Sequence, residues 1–315
     1  MGKEIYQFNF RPYKRRFVCP VQTNHGIWEI REGIIISLKS ERGNIGWGEI
    51  APIPWFGSET LEQALEFCSS LPIEISEEVI SSIPETLPTC QFGFESALQN
   101  SCTDNQIYCN SLEFSALLPA GKSAIEAWQS LYDSGYRTFK WKIAVEPIAE
   151  EVKIFEQLLQ VLPSGAIRLD ANAGLSYNEA KQWLEICDQL IKSGVNIEFI
   201  EQPLPTAQFE EMLELTSHIT KLALDESVAT FQQLQSCYSK GWQQIFVIKP
   251  GIVGSPNKLR RFCQQYKIDA VFSSVFETDI GRNAALQLAN ELSLHQRAVG
   301  FGINHWFQEN SAPPN

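Results

Sequence analysis

From residue 110 onward, six β-rich runs, "RTFKWKIA", "AIRLDA", "NIEFIEQ", "KLALDES", "QQIFVIKP" and "DAVFSSV", are each followed by a stretch with apolar residues at helical spacing. Ile148, Val152, Phe155, Leu158, Leu159 and Leu162 fall on one face of a helix opened by Pro147 and stopped near Pro163. The next helix has a capping-box signature at Ser176 and Glu179, and another opens on Ser255-Pro256. Four successive strands end in ionisable residues. The steps are 31 residues from Asp170 to Glu201, 24 from Glu201 to Asp225, and 24 from Asp225 to Lys249. A strand-then-helix unit of that size is what a parallel barrel requires, because each crossover must return right-handedly to a neighbouring strand. A first strand near 112–118 and a last near 297–302 bring the count to eight. A doubly wound sheet shares the local pattern but gives no reason for ionisable strand ends.

Residues 1–108 read differently. "IYQFNF", "RFVCPV" and "IWEIREGIIISLKS" are strand-like, the last joined through "ERGN" to "IGWGEIAP" as a hairpin, and two or three short helices follow between about 58 and 100. Gly46 and Gly48 are expected to shape the hairpin. The chain is thus expected to pair an N-terminal α+β capping domain, 1–108, with an α/β barrel domain, 109–302. The tail 303–315 is a candidate to complete the first domain.

Charge and cysteine usage narrow the function. A net charge of −12, with "RPYKRR" at 11–16 as the one basic cluster, disfavours nucleic acid and anionic membranes as partners. No apolar run reaches the roughly 18–20 residues of a membrane span, and no apolar segment of usable length follows the basic cluster to make an export signal. Eight scattered cysteines without a CxxC pair suit reduced, packed thiols, so a cytoplasmic protein is expected.

In a closed barrel the C-terminal strand ends meet at one mouth, so Asp170, Glu201 and Asp225 are expected to converge there. Three clustered carboxylates repel unless a cation lies among them, and oxygen-only ligation favours Mg²⁺ over zinc. The four histidines lie outside these strand ends. In "FKWKIA", alternation puts Lys140 and Lys142 on one face, with Phe139, Trp141 and Ile143 on the other. Facing the mouth, two ammonium groups disfavour each other's protonation, so one of the pair can serve as a general base near pH 7. Lys249 supplies an amine from the opposite side. A base facing a carboxylate-held dication suits removal of a proton alpha to a substrate carboxylate.

The order KxK, "RLDAN", "FIEQPL", "LALDES", "VIKPG" resembles the enolase superfamily, in the branch with lysines on both sides of the barrel. "REGIIISL" at 31–38, "GWGEIAPIPWFGSET" at 46–60 and "VFETDIGR" at 275–282 resemble, within it, the o-succinylbenzoate synthases of menaquinone or phylloquinone biosynthesis. The resemblance implies a modified barrel of (β/α)7β type, with Asp170, Glu201 and Asp225 as ligands of Mg²⁺, Mn²⁺ being the alternative. It implies Lys142 as the base, Lys140 as its tuner and a substrate contact, and Lys249 as the stabiliser of an enediolate. The implied reaction is a syn dehydration of 2-succinyl-6-hydroxy-2,4-cyclohexadiene-1-carboxylate to 2-succinylbenzoate, a carbon–oxygen lyase step on a small-molecule carboxylate.

Ser273 and Ser274 are candidate substrate hydrogen-bonders and Asn172 a candidate support for the metal ligands. Segments around Asn24, His25 and Gly26 and around Trp55, Phe56 and Gly57 are candidate lids, with His25 as a loop hydrogen-bonder. Two alternatives stay open. An N-acylamino acid racemase or dipeptide epimerase would use the opposed lysines on the two faces of one enediolate. A non-catalytic enolase-like binding protein would be expected to have lost part of the six-residue set, which is intact here.

Overall fold

A computed structural model describes residues 4–23, 26–102, 112–162, 164–302 and 307. The expected domain boundary at 108/109, Pro163, His25 and most of the tail 303–315 lie outside the described residues. Among the described residues no helix is long and apolar enough to cross a membrane.

The N-terminal region forms an antiparallel sheet from β1 (Ile5–Thr23), β2 (Gly26–Ser40), β3 (Ile45–Ile50) and β4 (Glu74–Ser76), in the order β3-β2-β1-β4. The two strands expected at the N-terminus are one 19-residue strand. Its pairing with β2 is interrupted by a register shift between Arg16 and Val21, where Pro20 cannot donate to a ladder. The short strand β4 was not anticipated; it pairs Ile5–Gln7 with 74–76. Ile34, Ile36 and Leu38 alternate toward a core shared with Tyr6, Phe8 and Phe94, under helices α1 (Leu61–Ser70), α2 (Glu77–Ser81) and α3 (Pro88–Cys102). The role expected of Gly46 and Gly48 is corrected. A Cβ at these positions would stand 1.9 Å from the Ala97 carbonyl oxygen and 2.0 Å from that of Gly93, so the glycines let β3 lie directly against the backbone of α3.

The barrel sheet is parallel and runs in chain order through β5 (Ser115–Leu118), β6 (Thr138–Lys142), β7 (Ala166–Asp170), β8 (Ile197–Glu201), β9 (Leu222–Leu224), β10 (Ile245–Ile248) and β11 (Asp269–Phe272). The eighth strand expected at 297–302 is reduced to two bridges, Phe114 with Val299 and Ser273 with Gly300. The intervening helices are α4 (Ala124–Asp133), α5 (Ile148–Val161), α6 (Tyr177–Lys192), α7 (Phe209–Leu215), α8 (Phe231–Ser239), α9 (Pro250–Val253), α10 (Pro256–Tyr266) and α11 (Asp279–Leu292).

Phe139, Trp141 and Ile143 are fully buried on the helix-facing side of β6, and Trp141 stacks on Phe155 of α5 at 5.8 Å. Each such ring contributes roughly 2–3 kcal/mol by leaving water. The capping box of α6 forms as expected, Ser176 and Glu179 bonding each other's backbone N–H. The strand interior is filled by Phe199, Ala223, Ile245, Val247 and Val271.

The N-terminal end of the barrel is closed by charge. Arg168 Nε donates to Glu198 Oε2 at 2.6 Å and its Nη1 to the Ala298 carbonyl. Arg297 grips Asp269 with two nitrogens, each at 2.7 Å, and reaches Glu198 Oε1 at 2.6 Å. A register shift between β7 and β8 makes Glu198 an extra residue. Ile197 therefore stays in the outer core while Glu198 reaches both guanidinium groups.

Candidate active site

The C-terminal strand ends carry the chemistry. Strand register aligns Lys142 with Asp170, and Asp170 with Glu201, in one cross-strand row. Asp225 follows the last residue of β9 and Lys249 the last of β10. Lys140, one step below on the same face as Lys142, donates to Asp170 Oδ2 at 2.8 Å and to Glu201 Oε1 at 2.7 Å. Lys249 binds Asp225 from the far side. Lys142 is half-buried and makes no ion pair among the described residues. The three carboxylates are 2–7% exposed.

This rim carries more negative than neutralising charge. Burial, then Asp170 and Asp225, push the Glu201 carboxyl up to about 8 against the pull of Lys140 and Lys249. Burial and Asp225 push Glu226 up to about 7, and its Oε2 is buried without a partner. Burial alone would lower Lys140, but Asp170, Glu201 and Asp225 together raise it, so it stays cationic. Among the described residues no three acidic, histidine or cysteine side chains are drawn together as a finished metal shell. The acids are spanned by Lys140 and Lys249 instead. The donor set still fits a hard dication: Asp170, Glu201 and Asp225 offer oxygen only and are buried, and Glu226 beside them has one buried oxygen with nothing to bond.

Backbone strain gathers at the same end. Ala144, Asn172, Ala173, Gln202 and Phe276 all have φ between 36° and 63°, and they follow β6, β7, β8 and β11. Asn172 supports Asp170 through its backbone, its N–H donating to Oδ1 at 3.1 Å, while its side chain leans toward Glu226 at 3.4 Å. Two residues escaped the sequence reading. Gln202, fully buried, accepts from the N–H groups of Asp225 and Ser227 and donates to Ser227 Oγ, so it fixes the turn that carries Asp225. Glu226 joins the mouth because β9 stops at Leu224 and a 3-10 turn at 226–228 ends the alternation. The acid doublet in "LALDES" was its signal.

Over the mouth, Phe56 lies with its ring centroid 4.2 Å from Lys249 Nζ. Trp28 meets Trp55 edge-on at 5.0 Å and Phe276 at 5.6 Å. Ser274 is buried and its hydroxyl is engaged within the turn, donating to Glu277 Oε2 at 2.8 Å and accepting from Phe276 N–H at 3.0 Å. The Ser273 hydroxyl lies 3.5 Å from the Gly300 carbonyl. Elsewhere, His218 pairs with Asp188, and Cys68, Cys90, Cys187, Cys237 and Cys263 are buried thiols.

A parallel barrel with a separate antiparallel sheet, and carboxylates and lysines at the C-terminal strand ends, defines the enolase class of barrel enzymes. Residues 123–313 match the family described as enolase C-terminal domain-like, and residues 13–101 match the MenC N-terminal domain. The o-succinylbenzoate synthase of Thermosynechococcus vestitus is 38% identical over 95% of this chain and 93% of its own length. That of Yersinia pseudotuberculosis serotype O:1b is 30% identical over 87% and 84%. Among solved structures, o-succinylbenzoate synthase from Thermosynechococcus elongatus, complexed with Mg in the active site, superposes with a TM-score of 0.89 at 37% identity, covering 98% of this chain and 95% of that one. Muconate lactonizing enzyme from Pseudomonas putida, 19% identical with a TM-score of 0.78 over 99% of this chain and 92% of its own, shares the fold. The chain belongs to the o-succinylbenzoate synthase family of the enolase superfamily, a family of hydro-lyases.

Proposed function

We propose that the chain converts 2-succinyl-6-hydroxy-2,4-cyclohexadiene-1-carboxylate to 2-succinylbenzoate in menaquinone biosynthesis, with Lys142 as the base. The reading is carried by the register that sets Lys142 level with Asp170 and Glu201 while Lys249 stands across the rim. Asp170, Glu201 and Asp225 would hold Mg²⁺, or Mn²⁺ in its place. The bound dication supplies positive charge beside the substrate carboxylate as its alpha carbon is deprotonated. With a dication held there, Lys140 and Lys249, which pair with these carboxylates here, would be free to face the substrate.

The Lys142 amine takes the alpha proton as base, and the electron pair spreads into the substrate carboxylate. Lys140 and Lys249 hold ammonium charge beside that developing charge. The pair then expels the ring hydroxyl from the same face, Lys142 returns its proton to it, and water leaves. Breaking one C–H and one C–O bond makes the ring aromatic, which supplies the driving force. Ser273 is assigned a hydrogen bond to the substrate; Ser274 shapes the turn. Asn172 steadies Asp170. The substrate is a small carboxylate, and the scattered free thiols suit a cytoplasmic setting.

Incubating the protein and Mg²⁺ with the cyclohexadiene acid tests the reading: an aromatic ultraviolet signal should grow with enzyme concentration. Racemisation of an N-acylamino acid without that signal would overturn it in favour of the isomerase alternative.

A further inference from the structure

The three phrases that carried the family resemblance meet in space, and none of their shared contacts is used by the mechanism above. Arg31, which opens "REGIIISL" on β2, is 1% exposed. Its Nε donates to the Val275 carbonyl at 3.1 Å, its Nη1 to those of Pro52 at 2.7 Å and Glu32 at 2.9 Å, and its Nη2 to that of Ala51. Among the described residues its hydrogen bonds go to backbone carbonyls alone. Glu49, on the adjacent strand β3, holds the same turn from a second side. Its carboxylate accepts from Thr278 N–H and Gly281 N–H, each at 2.9 Å, and from the hydroxyls of Thr278 and Tyr13.

A guanidinium suits such a place because its donors form a rigid planar fork. A buried cation is unfavourable unless its N–H groups are satisfied, so the acceptors must stay where the fork points. Apart from Glu32, next to Arg31 on β2, the acceptors belong to two separate backbone segments. Ala51 and Pro52 begin the segment that carries Trp55 and Phe56 over Lys249. Val275 begins the turn after β11, whose Phe276 packs edge-on against Trp28, and Trp28 in turn meets Trp55. The Arg31 guanidinium lies 5.3 Å from the Trp28 ring.

We propose that Arg31 is a positioning residue that joins segment 51–57 to the turn 273–278, so that the two close over the mouth as one unit and set the height of Phe56 above Lys249. The inference rests on the dehydratase reading for its kinetic consequence only; the joining of the segments stands by itself.

Hydrogen exchange followed by mass spectrometry on the full wild-type chain gives the first test. Joined segments open in one step, so the amides of Ile53–Gly57 and of Val275–Thr278 should show protection agreeing within about threefold. Protection about a hundredfold weaker in 53–57 than in 275–278 would overturn the proposal without any variant. Arg31→Lys, which keeps the charge but lacks the fork, should speed exchange in both segments and raise KM about tenfold with a smaller change in kcat. Arg297→Gln at the opposite barrel end should lower stability and leave KM and the exchange of both segments unchanged. If Arg31→Lys behaves like Arg297→Gln, Arg31 is a stability residue only and the inference fails. If the wild-type protein does not dehydrate the cyclohexadiene acid, the dehydratase reading falls while the exchange result still decides the joining.

Discussion

Glu198 and Glu201 lie on the same five-residue strand, at opposite ends of the barrel, and their surroundings drive them in opposite directions. Burial would raise both. At Glu198 the guanidiniums of Arg168 and Arg297 outweigh it and the carboxyl falls below its usual range. At Glu201 two further acids reinforce burial, and the carboxyl rises to about 8 despite two lysines. The floor pairs permanent cations with acids in fixed, forked geometry, whereas the rim crowds acids against amines that can change partner. A structural ion network is closed to newcomers. An acid cluster left short of positive charge favours a dication.

The contrast can be broken at the rim first. Lys142→Ala should cost at least about three orders of magnitude in kcat while circular dichroism and thermal melting stay near wild type, because no other free amine is aligned with Asp170. Removing metal with EDTA should abolish turnover, and Mg²⁺ should restore it. Turnover indifferent to chelation would mean the rim is as closed as the floor.

At the floor, Glu198→Gln takes from Arg168 and Arg297 the carboxylate they share, leaving Arg297 on Asp269 and Arg168 without an acid among the described residues. It should destabilise the fold by about 3 kcal/mol in urea titration with KM unchanged. Loss of activity without loss of stability would erase the distinction between the two ends.

Acidity separates the ends by sign. Glu201 holds its proton more tightly folded, about 8, than unfolded, near 4.5, so the metal-free fold binds the extra proton between those values. Stability should therefore decline as pH rises from about 5 to about 8, and saturating Mg²⁺ should flatten the curve. Glu198 acts oppositely: its contribution is present above pH 4.5 and is lost as pH falls through its depressed folded value. The smallest effect is expected from Glu201→Gln in metal-free protein at pH 6. There the native side chain is already neutral, so stability should change by less than about 1 kcal/mol. A large loss would mean that Lys140 depends on an ionised Glu201.

The barrel was legible because period 3.6 and short β-rich runs alternate without interruption, and the rim because each strand ends in an ionisable residue. What escaped depends on register. Glu198 and Glu201, three apart, should face opposite sides of a regular strand; only the extra residue against β7 turns Glu198 toward Arg168, and pairing register is invisible in one segment. The single long β1 was obscured by Pro20, and the task of Gly46 and Gly48 by α3, which lies some fifty residues away in sequence. Arg31 was visible as a charge in an apolar strand, but its acceptors are main-chain carbonyls, which carry no side-chain signature.

The thin pairing at residues 299 and 300 leaves β5 and β11 nearly open along their outer edges, bridged at Phe114 and Ser273 and steadied by Arg282 reaching the Phe301 carbonyl. Those residues come after every strand of the sheet in the chain, so the nascent sheet must wait with both flanks unzipped until they arrive. Such flanks recruit other strands. Chains stalled or clipped before residue 299 should therefore stick to one another.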